Sequence, residues 1–90
     1  YFASQIHCGL DGLRRKLDPG PAEHTPYESK ATRLPHSLEE ALAALKADSA
    51  LKEAIGAGFV EYYCRIKEAE IARFNLEVSD WEQREYFDLF

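Results

Sequence analysis

Phe59-Val60-Glu61-Tyr62-Tyr63-Cys64-Arg65-Ile66-Lys67-Glu68-Ala69-Glu70-Ile71-Ala72-Arg73-Phe74 carries the longest helical pattern in the chain. Phe59, Tyr62/Tyr63, Ile66, Ala69/Glu70 and Arg73/Phe74 recur at steps of three and four, so they share one stripe of a helix. Glu61 and Arg65 stand one turn apart with the acid on the N-terminal side, the favourable order for an ion pair. Asn75 is positioned to cap the end. The spacing predicts a helix over 58–74.

The same period runs outward in both directions. Upstream, Ser37-Leu38-Glu39-Glu40 has the form of a capping box and opens a helix over 37–47 with Leu38, Leu42 and Leu45 on one face. Asp48 or Ser49 caps a short helix over 49–55, which Gly56-Ala57-Gly58 interrupts. Downstream, Ser79-Asp80-Trp81-Glu82 is a second capping box and starts a helix over 79–89. At the other end, Phe2, Ile6, Gly9/Leu10, Leu13 and Leu17 line one face of a helix over 1–17. Arg14-Arg15-Lys16 in its last turn complements the negative end of the helix dipole. Asp18-Pro19-Gly20-Pro21 then prevents continuation. Residues 18–36 hold all four prolines and form one long loop. No stretch alternates with the period of a strand. The expected fold class is all-α, with four to five helices and one long proline-containing loop.

Bulk properties narrow the function. Ninety residues make at most one small domain, and a chain of this size buries only about 60–65% of its unfolded surface. A net charge of −5 argues against a nucleic-acid partner, because nonspecific phosphate binding needs a basic face. No run is apolar enough to span a bilayer. The two cysteines, Cys8 and Cys64, fall in none of the paired spacings of zinc or redox sites, and two reduced thiols in the cytoplasm are expected. The chain contains no methionine and opens inside a helix, the pattern of a processed product or of one part of a longer protein.

Candidate chemistry is sparse. His7 and Cys8 are adjacent, so on a helix they point about 100° apart and do not converge on one ion. Paired glutamates at Glu39/Glu40, Glu68/Glu70 and Glu82/Glu85 read as solvated helix faces. Gly56 and Gly58 lack the preceding strand and the third glycine of a phosphate loop. No catalytic, metal-binding or cofactor-binding residue is assigned.

Two segments carry a resemblance. Gly9-Leu10-Asp11-Gly12-Leu13-Arg14-Arg15-Lys16-Leu17-Asp18-Pro19-Gly20 resembles the Gly-Leu-Asp-Gly-Ile-x-x-Lys-x-x-Pro-Gly segment late in the catalytic domain of the glutamine synthetase family. The later Leu34-Pro35-His36-Ser37-Leu38-Glu39-Glu40-Ala41-Leu42 is similar to that family's Pro-x-Ser-Leu-x-Glu-Ala-Leu helix start. Val78-Ser79-Asp80-Trp81-Glu82 and Glu85-Tyr86 are similar to the C-terminus of γ-glutamyl-amine ligase relatives, including the putrescine ligase-like branch. The resemblance implies a C-terminal piece of a larger α+β catalytic domain. Its parent enzyme would use ATP and Mg²⁺ or Mn²⁺ to form γ-glutamyl phosphate and capture it with ammonia or an amine, while this chain supplies no catalytic group. It also implies a partner in the upstream part of the same domain, a homo-oligomer and a cytoplasmic location. Tyr27 is the regulatory tyrosine the resemblance suggests, although Thr25-Pro26-Tyr27-Glu28-Ser29-Lys30 departs from the family's Asn-Leu-Tyr-Asp-Leu-Pro context and a plain loop tyrosine is the simpler reading. Trp81, Tyr86, Phe87, Leu89 and Phe90 would form an aromatic tip for assembly, against the alternative that they fold back onto the Phe59–Phe74 helix. Two other functions compete: a stand-alone helical interaction module, and a small metal or redox protein built on His7, Cys8 and Cys64.

Overall fold

Five α-helices and one 3₁₀ turn make up the computed structural model, which describes residues 1–89. In chain order they are α1 (Phe2–Arg15), α2 (Leu38–Ala47), α3 (Ser49–Ile55), α4 (Ala57–Leu76), α5 (Asp80–Tyr86) and the 3₁₀ turn Phe87–Leu89. Among the described residues there is no strand, and no helix is long and apolar enough to cross a membrane. Phe90, one of the residues expected at the aromatic tip, lies outside the described residues.

Local chemistry sets the helix ends. α1 stops at Arg15, before the prolines, because Lys16 turns left-handed at φ 52°. The Lys16 amide then donates to the Leu13 carbonyl (3.2 Å) and the Leu17 amide to the Gly12 carbonyl (3.0 Å). Those two bonds satisfy the last carbonyls of α1 in the manner of a Schellman stop, with lysine where glycine is usual. At α2 the Ser37 hydroxyl accepts from the Glu40 amide (3.1 Å), but the Glu40 carboxylate accepts from the His36 amide (2.8 Å) rather than from Ser37. The box is therefore displaced by one residue. Asp48 ends α2 and caps α3, its carboxylate accepting from the Leu51 amide at 3.0 Å.

Between α3 and α4 only Gly56 breaks the helix. Its φ of 117° is open to glycine but strained for any side chain. Gly58, expected to belong to the break, sits in the first turn of α4. At the other end α4 runs through Asn75 to Leu76, and Glu77 leaves the helix in an extended conformation. Its two-residue extension beyond 74 reflects the absence of any local signal strong enough to stop it. After α5 the chain tightens into the 3₁₀ turn, where a continuous helix to 89 was expected.

Packing is thin. α2 lies along α4, α3 touches α1, α2 and α4, α1 meets only α3 among the helices, and α5 meets only the 3₁₀ turn that follows it. The buried residues are Leu42, Val60 and Cys64, with Leu45, Ile55 and Ile71 packed around them. On α4 the buried line is thus Val60, Cys64 and Ile71, at steps of four and seven, beside the Phe59–Phe74 stripe and not on it. Lys46 of α2 is ion-paired with Glu68 of α4 along the edge of this seam, which raises the lysine above its ordinary pKa.

The assembly measures 58 × 39 × 19 Å with a radius of gyration of 18.5 Å. A compact chain of this length has a radius near 12 Å. Its accessible surface is 8455 Å², about 3,000 Å² above the roughly 5,400 Å² of a compact monomer of this mass.

The core prediction follows directly. Leu42→Ala is expected to destabilise the chain by about 2 kcal/mol or more, the range for a buried leucine. Leu13→Ala, on the open face of α1, is expected to stay within about 0.5 kcal/mol. Urea unfolding followed by circular dichroism separates the two, and equal costs would show that α1 is already covered.

Candidate functional site

The most unusual geometry is in α1, which packs with its polar side inward. Ser4, His7, Asp11 and Gly12 are its half-buried residues, and they recur at steps of three, four and one on the side toward α3. Phe2, Ile6, Leu10, Leu13 and Leu17 are exposed, Phe2 and Leu13 by 79% and 76%. An amphipathic helix normally turns its apolar stripe to the core. Here the whole stripe faces outward, and with Tyr1 (in edge contact with Phe2, ring centroids 5.6 Å apart) it forms a continuous apolar strip.

Between α1 and α3 lies a cleft of about 400 Å³ lined by His7, Cys8, Asp11, Arg14, Asp48 and Glu53, among others. Most of its charge is already engaged. Asp11 pairs with Arg15 at 2.6 Å, Arg14 donates from Nε to the Leu10 carbonyl at 3.4 Å, and Asp48 caps α3. Cys8 is exposed here while Cys64 is buried under α2, and both thiols are free. The described residues contain no group of three His, Cys, Asp or Glu side chains able to hold one ion. The donor set therefore does not fit a metal centre, and no chemical step is routed through one. His7 and Cys8 line this cleft, whereas Cys64 is buried in the core with Leu42 and Val60, so the three are not brought together.

Two aromatic surfaces remain. The α4 stripe is open, with Phe59 and Tyr63 stacked at 6.3 Å and Lys67 over the Tyr63 ring at 5.7 Å. Lys67 also pairs with Glu70 at 3.0 Å. The second surface is the tip. Trp81 and Tyr86 meet edge to face at 5.8 Å, and Phe87 and Leu89 are exposed beside them. These side chains do not fold back onto α4. Tyr27 is 96% exposed in a turn closed by the Glu28 amide donating to the Thr25 carbonyl at 3.0 Å. In the same loop the Ser29 hydroxyl and the Thr25 amide hold the Glu23 carboxyl below its ordinary value.

This geometry has close counterparts among known proteins. The family model described as glutamine synthetase, catalytic domain, matches residues 1–86. The chain belongs to the glutamine synthetase family. It is 41% identical to γ-glutamylanilide synthase of Acinetobacter sp, covering 99% of this chain and 20% of that protein. It is 35% identical to glutamate–methylamine ligase of Methyloversatilis universalis, covering 98% of this chain and 22% of the relative. A solved structure described as apo GmaS without ligand superposes with a TM-score of 0.85 at 31% identity, over 96% of this chain and 21% of its own. The chain thus corresponds to a C-terminal segment of the glutamine synthetase fold and spans about a fifth of the length of these relatives.

Two packing features were missed by sequence reasoning. One is the inward polar side of α1, whose signal was the line Ser4, His7, Asp11. The other is the buried line Val60, Cys64, Ile71 on α4, which leaves the neighbouring aromatic stripe free.

The tip also carries a pH dependence. The Glu82 carboxylate accepts from the Ser79 amide at 2.7 Å and the Ser79 hydroxyl at 2.9 Å, and these bonds, the amide first, lower its pKa from 4.5. A carboxyl depressed in the folded state contributes stability above its unfolded value, and that contribution is lost as pH falls through the folded value. α5 is therefore expected to fray in acid below the ordinary carboxylate range. NMR titration of the Ser79 amide checks this, and Glu82→Gln should remove the acid-dependent step.

Proposed function

We propose that this chain is the C-terminal helical part of an ATP- and divalent metal-dependent ligase that joins the γ-carboxylate of glutamate to an amine, and that its own task is structural. The observation that carries this reading is the reversed α1. A stand-alone module would gain by rotating Phe2, Ile6, Leu10, Leu13 and Leu17 inward, at about 25 cal/mol for each Å² removed from water. A segment whose apolar strip seats on the rest of a catalytic domain has no such option. The competing module reading offers no cover for that strip.

The amine-ligase branch is favoured over glutamine synthesis by the two relatives whose names specify an aniline-derived product and methylamine. ATP and Mg²⁺ or Mn²⁺ would supply phosphoryl activation of the carboxylate from residues outside this chain. Within the chain, α1 supports the remaining domain and the Trp81–Leu89 tip, with Phe90, contributes to assembly of a homo-oligomer. The tip suits that role because α5 stands clear of the other helices and presents aromatic side chains, the residues enriched in the cores of interfaces. A cytoplasmic location accords with the two free thiols. Tyr27 is given no role beyond that of a loop tyrosine.

The 90-residue chain alone is expected to release no phosphate from ATP in the presence of glutamate, Mg²⁺ and methylamine or aniline. The complete polypeptide containing it should do so in an amine-dependent way. Turnover by the chain alone would overturn the structural role, and an inactive complete polypeptide would overturn the ligase reading. Leu13→Asp in the complete polypeptide should remove soluble assembled enzyme, as read by size-exclusion chromatography, while Glu53→Gln in the α1–α3 cleft should leave it unchanged.

A further inference from the structure

We draw no further inference here: the strongest candidate, the cluster of acidic side chains with the single thiol of Cys8 in the cleft between α1 and α3, has its Asp11 already paired with Arg15 and its Asp48 engaged as the cap of α3, and nothing in the structure shows what occupies or covers it.

Discussion

The structure depends on one constraint, the orientation of α1 on α3. The only neighbour of α1 among the helices is the short α3, and the side it turns to that neighbour is Ser4, His7, Asp11 and Gly12. Water excluded from that seam is little, and the cleft between the two helices stays open at about 400 Å³. Apolar burial is the main favourable term in folding, yet the largest apolar surface of α1 contributes little to it within this chain, none of its residues being buried. α1 stands away from the core on α3, the loop 18–36 is exposed apart from the half-buried Ser29, and the core is confined to the seam where Leu42 meets Val60 and Cys64.

That seam is small for ninety residues. The excess of about 3,000 Å² over a compact monomer includes the extended loop, but it also includes the α1 strip, the α4 stripe and the tip. Permanent interfaces conceal about 2,000–5,000 Å² counted over both partners, or about 1,000–2,500 Å² on each, so the excess is large enough to supply one such interface and more. The same shape occurs as about a fifth of a solved relative, where a flat helical layer is one part of a larger body. Gly56 is the hinge of that layer. Its positive φ lets α3 and α4 follow one another without a loop, which places Ile55 and Val60 on the same side of the core.

Much of the fold was legible because capping residues and helical period are local. Ser79 with Glu82, Asp48 and the apolar line of α2 each act within a few residues, and each specifies its element without help from the remainder. The Gly9–Gly20 segment was also legible as a family resemblance, and it forms the second half of α1 with its stop. What could not be read was which face of each helix is inward. α4 has two adjacent apolar lines, and periodicity cannot choose between Val60-Cys64-Ile71 and Phe59-Tyr63-Phe74, since the choice lies in the shape of α2 and α3. For α1 the period pointed to the apolar face, and the structure turns that face outward. Its natural cover is not among these ninety residues, so no pattern within them could reveal it. The left-handed Lys16 was hidden for a related reason: the prolines beyond it were a sufficient stop signal, and the earlier stop depends on carbonyls at Gly12 and Leu13.

The central claim is that α1 belongs to a larger body and is only lent to this layer. Amide hydrogen exchange at Ile6 to Leu13, measured in the isolated chain at low concentration and in the complete polypeptide, tests it most directly. The predicted result is fast exchange in the isolated chain, much faster than for Val60 to Ile71 of α4, and strong protection of the same amides in the complete polypeptide. Protection of α1 equal to that of α4 in the monomeric isolated chain would contradict it.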